Sequence, residues 1–182
     1  MAKKKAVNVK LIPEKDEDGK THKLYAMMHE IIVEHHDHLA QAKVALAWNS
    51  SWSEDVDGRL VLGKCKKVGD LDKEFHDYDF VIQLNIDAMK TMSAAQRTAL
   101  IDHELCHAAV KLDTKGEPCY DERDRIVYRM RKHTIEEFHE IVARHGMYKS
   151  DIASFVKIAL LAAKNPLLET VSETTGEVAQ EA

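Results

Sequence analysis

Residues 99–110 read Ala-Leu-Ile-Asp-His-Glu-Leu-Cys-His-Ala-Ala-Val, and this run decides how the rest of the chain is interpreted. Within it, His103 and His107 flank Glu104 with the spacing H-E-x-x-H. On a helix, positions i and i+4 lie on one face about 6 Å apart, so both imidazoles can bind one Zn²⁺ while the glutamate reaches a metal-bound water. The run therefore predicts a helix that carries a catalytic zinc site, with Glu104 as general base.

The same spacing also arises by chance on amphipathic helices that bind no metal. The apolar neighbours argue against that alternative, because a charged triplet in a largely buried helix is costly unless a partner such as a metal satisfies it. The helix has a clear beginning, since Ser93 precedes Gln96 by the three residues of a capping box. We expect one helix over residues 93–110 and, within it, a buried Cys106 that acts as a small apolar side chain.

Composition favours a soluble globular protein. The chain has 182 residues, of which 45% are apolar and 31% charged, and this suits one domain with a sizeable core. The net charge of −5 gives no reason to expect nucleic acid or an anionic membrane as partner, and no apolar span reaches ~18 residues. Three cysteines without a C-x-x-C pair exclude a Cys₄ zinc ribbon and argue against a disulfide framework, so we expect a cytoplasmic protein.

Local charge divides the chain into three predicted parts. Residues 1–19 begin with a run of lysines and are expected to form a flexible basic and acidic segment. Residues 166–182 carry acidic charges only and are expected to form a disordered tail. Residues 20–165 are expected to form the single domain.

Upstream of the motif, hydrophobic periodicity predicts a helix and a small sheet, so the predicted fold class is α+β. Apolar residues three and four apart predict a helix over 23–40, and Val- and Leu-rich segments predict strands at 43–48, 59–68 and 78–85. For the histidines of this helix we favour a partly exposed polar face over a second metal site, because most of them point to different sides of a helix. These histidines are His29, His35, His36 and His38.

Downstream of the motif, residues 113–124 are polar and predict a loop, after which a short strand or turn follows. Thr134 and Glu137 repeat the capping-box spacing and predict a helix that Gly146 ends. A last helix is predicted for residues 150–163.

Catalytic zinc normally takes three protein ligands and keeps a fourth position for water, so one more ligand is needed. We favour His133, because it directly precedes the expected cap at Thr134, where a loop can turn its ring toward the motif. His139 is the alternative if the downstream helix itself faces the metal. A site with two histidines and one acid is a further alternative, with the acid drawn from Glu136, Glu137 and Glu140.

Three stretches of the chain resemble the putative phage metallopeptidase family, a relative of the SprT-like (Spartan) proteases. They are residues 99–107, His133-Thr-Ile-Glu-Glu-Phe138 and Arg144-His-Gly146, and the upstream Trp48, Leu62-Gly-Lys64 and Phe80-Val-Ile-Gln-Leu84 also fit the pattern. The resemblance covers about residues 20–150 and implies a zincin-like fold, with His103, His107 and His133 as metal ligands and Glu104 as catalytic base. Many SprT-like proteins carry a zinc ribbon that helps to bind DNA, and this chain has none, so DNA-dependent activity is not implied.

The leading hypothesis is a zinc metallopeptidase that hydrolyses peptide bonds of a protein or peptide substrate, in the bacterial host cytoplasm if a phage or prophage encodes it. We expect Glu104 to take a proton from a metal-bound water, and the edge of a strand near the motif to hold substrate in extended form. Asp102 either orients a ligand imidazole or is an exposed acid on the next face. Candidate donors to the oxyanion are Tyr128, His139, Arg144 and Tyr148.

The alternative hypothesis is a non-catalytic, zinc-stabilised module of phage origin that binds nucleic acid or another protein. Arg59, Lys64, Lys66 and Lys67 would supply local basic charge. Strand alternation, however, places Arg59 and Lys67 on one face and Lys64 and Lys66 on the other. The presence of Glu104 favours catalysis, because a purely structural site needs no base.

Overall fold

The computed structural model describes residues 8–165 and has an α+β fold with a mixed sheet and several helices. Within those residues, no helix has the length and apolar character needed to cross a membrane. Short 3-10 turns lie at Asp37–Leu39 and Asp72–Glu74. The elements in chain order are β1 (Val9–Leu11), α1 (Lys23–His35), β2 (Val44–Asn49), β3 (Gly63–Lys67), β4 (Phe80–Asn85), α2 (Ile86–Thr91), α3 (Ala94–Cys106), β5 (Ala108–Val110), β6 (Tyr128–Met130), α4 (His139–His145) and α5 (Ser150–Ala162).

The chain divides into two compact units, where the sequence led us to expect one domain over 20–165. The first unit ends at Lys132, and the second begins at His133 and contains α4 and α5. The disordered tail expected for residues 166–182 lies outside the described residues, as do the first seven residues of the segment expected to be flexible.

The first unit is built on a four-stranded sheet in the order β1-β2-β4-β3. β2 and β4 are parallel neighbours, and the edge strands β1 and β3 run antiparallel to them. β2 is almost entirely buried because it lies inside the sheet, and β4 buries Phe80, Ile82 and Leu84 in alternation. The sequence predicted three of these strands, although β3 begins only at Gly63.

The fourth strand corrects an expectation. β1 lies within residues 1–19, which we expected to be flexible, and it pairs Val9 with Asn49 and Leu11 with Ala47. All three side chains of β1 are exposed. Val9-Lys10-Leu11 does alternate apolar and polar residues, but the lysine run before it led us to expect a flexible segment. The chain is anchored just after it by Ile12, which is 1% exposed.

α1 packs on the sheet through its apolar face. The Tyr25 hydroxyl donates to the carbonyl of Ile12 (3.2 Å) and accepts from the amide of Leu46 (2.9 Å), so it ties α1 to β2 and to the end of β1. The helix ends at His35 and not at residue 40 as predicted, because a 3-10 turn replaces its last part. The buried residues of α1 are Leu24, Tyr25, Met28, Ile31 and Ile32.

The beginning of α3 is confirmed and its end is corrected. Ser93 Oγ accepts the amide of Gln96 (3.2 Å), and Gln96 Oε1 accepts the amide of Ser93 (2.8 Å), which forms the predicted capping box. The helix then stops at Cys106. The next residues, Ala108–Val110, form β5 and pair with β6, so the predicted continuation to residue 110 is wrong.

Two tight turns connect β5 to β6. Asp113 and Asp121 each accept, through Oδ1, the backbone N–H groups two and four residues further on, at distances of 2.8–3.0 Å. The first turn needs Gly116, whose φ of 87° is one that side chains rarely adopt. The predicted loop is thus a folded ribbon, and it returns the chain to α3, where the Arg131 amide donates to the His107 carbonyl (2.7 Å).

The second unit contains two helices, and the first of them begins later than predicted. The capping box expected at Thr134 does not form, because α4 begins only after Phe138, which offers no side-chain cap. Glu137 instead accepts hydrogen bonds from the Tyr148 hydroxyl and from Lys149 Nζ (2.6 Å). Gly146 ends α4 as predicted, and α5 matches the predicted last helix to within one residue.

Candidate metal site

α3 turns most of the motif outward. Its buried residues are Ile101, Glu104 and Leu105, whereas His103 and Cys106 are exposed. The expectation of a largely buried helix is therefore wrong, and among the motif residues the cost of desolvation falls on Glu104. The expectation of a buried Cys106 is wrong for the same reason.

His103 and His107 lie side by side, as their spacing predicts. Their ring centroids are 5.1 Å apart and the ring planes are nearly perpendicular. Since the Arg131 carbonyl can only accept, His107 donates to it through Nδ1–H (2.8 Å). That hydrogen bond leaves Nε2 as the nitrogen with a lone pair, which is how protein backbones commonly orient metal-binding imidazoles.

His103 is held toward its neutral form. Although His103 is exposed as a whole, partial desolvation lowers the pKa of its imidazole, the neighbouring His107 lowers it further, and Asp102 acts in the opposite direction. A neutral imidazole is the form that binds metals.

Glu104 is fixed against β3. It is 4% exposed, and the amide of Cys65 donates to its Oε2 (2.6 Å). A Cβ added to Gly63 would lie 2.6 Å from Oε1, so this close approach of carboxylate and strand requires glycine. Burial and the nearby Glu104 charge raise the pKa of the Cys65 thiol to about 12, so that thiol stays protonated.

An apolar cleft of about 470 Å³ opens beside the motif. His103 and Glu104 form part of its wall, and the strand side of the wall includes Gly63. The cleft puts a carboxylate and an imidazole next to a surface that can receive an apolar side chain. Its apolar lining comes from Val61, Leu62, Met92, Ala99 and Leu100.

His133 is the first residue of the second unit, bonded directly to Lys132 and two residues after Arg131. One ligand atom from each of His103, His107 and His133 lies within 4.8 Å of the other two, so the group is able to hold a metal ion. Within residues 8–165, no such group contains the alternative ligands. Those alternatives are His139, Glu136, Glu137 and Glu140.

Asp102 and His36 occupy unexpected positions. His36 Nε2 donates to Asp102 Oδ1 at 2.6 Å, so this acid contacts a histidine outside the motif. His36 is only 6% exposed, which corrects the expectation of a partly exposed polar face at this position.

Two of the four candidate oxyanion donors are buried in the core or engaged elsewhere. Tyr128 is 3% exposed and packs its ring against Phe80 with centroids 5.4 Å apart, so it is a core residue. Tyr148 donates its hydroxyl to Glu137. The structure does not single out Arg144 or His139 for this role.

Sequence reasoning missed the backbone groups that position the motif. The Cys65 amide and the Arg131 carbonyl hold Glu104 and His107, and backbone atoms have no residue-type signal. Gly63 is different, because a glycine within a predicted strand often indicates the close approach of another group. That signal was present in the sequence.

Comparison with known proteins places the chain in a family. No curated protein and no solved structure matches it. A family model does match residues 19–159, a range that runs from just before α1 into α5 and contains Gly63, the whole motif and His133. The chain therefore belongs to the family described as putative phage metallopeptidase.

Proposed function

We propose that this protein is a zinc-dependent metallopeptidase in which Glu104 is the general base. The observation that carries the proposal is the placement of Glu104, a buried carboxylate that β3 holds beside two adjacent imidazoles. A structural zinc site needs no such carboxylate, whereas hydrolysis needs a base within reach of water.

His103, His107 and His133 are the proposed ligands. Three imidazoles with an open fourth position are a common donor set of catalytic zinc, and the mutual distances of the three ligand atoms suit one ion. Zinc bound there would act as a Lewis acid and lower the pKa of a bound water toward neutrality. The Arg131 carbonyl would keep the His107 ring in its binding orientation.

Glu104 has two proposed tasks. Its carboxylate takes the proton from the attacking water and then passes that proton to the leaving nitrogen of the peptide. The Cys65 amide supports both tasks, because its hydrogen bond restricts the motion of the Glu104 side chain and keeps the carboxylate in one position.

The proposed substrate is a protein or peptide that binds in extended form. β3 is an edge strand, and its beginning at Gly63 borders the apolar cleft beside His103. An extended segment lying along such an edge can form backbone hydrogen bonds and place one apolar side chain in the cleft. The zincin-like fold and the SprT-like relation are part of the same proposal and rest on the resemblance of the motif helix and the His133 segment to that family.

Binding to nucleic acid is the weaker alternative. Lys64 and Lys66 are exposed on one face of β3, which favours some anion binding, but the whole chain carries a net charge of −5. The proposed location is the cytoplasm, that of the bacterial host if a phage or prophage encodes the protein, because a reducing compartment is compatible with three free cysteines.

The decisive test is Glu104→Gln in a proteolysis assay with an unfolded protein substrate. Glutamine keeps the shape and can still accept from the Cys65 amide, so we expect the fold and bound zinc to be retained. Cleavage should fall by about 10²-fold or more, since the base is lost. Glu30→Gln, which changes an exposed carboxylate on α1, is the matched control and should cleave like wild type. Equal proteolysis by wild type and Glu104→Gln would refute catalysis by this site.

A further inference from the structure

α3 and its C-cap residue carry two pairs of metal-binding side chains, each with i,i+4 spacing. One pair is His103 and His107. The other is Asp102 and Cys106, which begins one residue earlier and therefore lies about 100° around the helix. The second pair has no part in the proposed peptidase chemistry.

A third side chain, His36, joins Asp102 and Cys106 to form a group of three possible ligands. His36 caps the C-terminal end of α1, and its side chain is 7% exposed, so its ring is fixed by packing. Its Nε2 lies 2.6 Å from Asp102 Oδ1, and one ligand atom from each of His36, Asp102 and Cys106 lies within 4.8 Å of the other two.

We propose that His36, Asp102 and Cys106 form a second binding site for a divalent transition-metal ion of the zinc type. An imidazole, a carboxylate and a thiolate are all zinc ligands, and the thiolate makes the site selective for soft or borderline ions over magnesium or calcium. The site lies within the first unit and does not share a ligand with the proposed catalytic site.

The geometry requires only small side-chain movements. Ligand atoms around one tetrahedral zinc ion lie roughly 3.3–3.6 Å apart. The His36 and Asp102 atoms would therefore separate by about 0.7 Å, and no pair would need to close by more than about 1.5 Å. Asp102 and Cys106 can make these adjustments because the Asp102 side chain is 39% exposed and Cys106 lies at the surface. The same exposure gives the ion a route in.

Cys106 distinguishes this site from a simple hydrogen bond. The contact between His36 and Asp102 by itself would tie α1 to α3, and that role needs no thiol. A metal site, in contrast, needs all three side chains. Cys65 and Cys119 serve as internal comparisons, since neither belongs to a group of three ligands within residues 8–165.

The test is titration of the full-length, metal-free protein with Co²⁺. A thiolate bound to Co²⁺ gives a charge-transfer band in the near ultraviolet, whereas a site of three histidines gives none. We expect the band in wild type and in Cys119→Ser, and we expect its loss in Cys106→Ser. Because position 106 is exposed, the serine variant should keep the wild-type circular dichroism spectrum. Asp102→Asn should weaken the band as a second, independent variant.

The double variant His103→Ala, His107→Ala separates this site from the proposed catalytic one. It should lose proteolysis but keep the cobalt band, with one ion bound per chain. Absence of the band in wild type, or its persistence in Cys106→Ser, would overturn the second site. Neither result would alter the outcome of the Glu104→Gln experiment.

Discussion

The two compact units differ sharply in how much apolar side chain each one buries. The core of the first unit is a continuous cluster of buried residues that joins α1, the sheet and α3. In the described part of the second unit, Ile152 is the one buried hydrophobic residue, and several large ones are more than half exposed. Those exposed residues are Phe138, Met147, Tyr148, Phe155, Ile158, Leu160 and Leu161.

This difference indicates that the first unit can hold the side chains of a site in fixed positions. Burial of apolar surface is the main source of stability, so side chains on α3 and β3 are held by the part of the chain with the strongest packing. The second unit also contains polar contacts, among them those of Glu137 with Tyr148 and Lys149. Of the proposed site residues, His103, Glu104 and His107 belong to the first unit, and His133 is the first residue of the second.

The largest expected effect comes from removing an aromatic ring from the first core. Phe80 is fully buried and packs edge to face on Tyr128. Phe80→Ala should lower the free energy of unfolding by about 3–5 kcal/mol, because it removes apolar contacts and leaves a cavity. Urea unfolding followed by circular dichroism measures the change.

Phe138→Ala is the matched substitution in the second unit. Phe138 is 68% exposed, so its removal should change the free energy of unfolding by less than about 0.5 kcal/mol. Comparable losses from both substitutions would show that the two units do not differ in the way their burial indicates.

A smaller effect is expected at the two capping-box sequences, one in each unit. Ser93→Ala should cost about 1 kcal/mol, since it removes the side chain that accepts the Gln96 amide. Thr134→Ala should change stability by less than about 0.5 kcal/mol, because residue 134 caps no helix. Thermal unfolding of both variants provides the comparison, and an equal loss in each would indicate that Thr134 is also a cap.

These two sequences also show what could be predicted. Ser93 and Thr134 have the same local signal, and only the first starts a helix. The second capping box fails at Glu137. Its carboxylate accepts hydrogen bonds from Tyr148 and Lys149, eleven and twelve residues away, in place of the backbone N–H group that a capping box requires. A local motif decides the structure only where no distant group competes for its side chains.

In the candidate site, too, contacts within one helix were predictable and contacts between distant segments were not. The adjacency of His103 and His107 follows from helix geometry and was predictable from their spacing. The hold of β3 on Glu104 and the approach of His36 to Asp102 were not, because both join residues far apart in the chain, 39 and 66 positions respectively. Periodicity within one element contains no information about such pairs.

The smallest effect, and the most specific to the second unit, is the pH dependence of Glu137. The Lys149 ammonium and the Tyr148 hydroxyl lower the pKa of this carboxyl from 4.5 to about 2. A carboxyl with a lowered folded-state pKa stabilises the fold above its unfolded pKa, and that stabilisation is lost as the pH falls through the folded value. Wild type should therefore be more stable than Glu137→Gln above pH 4.5, and the difference in stability should disappear as the pH approaches 2.

NMR titration measures the pKa of the Glu137 carboxyl, and melting curves across this pH range measure the stability difference. Glu136→Gln is the exposed neighbouring control. A carboxyl midpoint near 4.5 would show that Lys149 and Tyr148 do not stabilise the ionised form of Glu137.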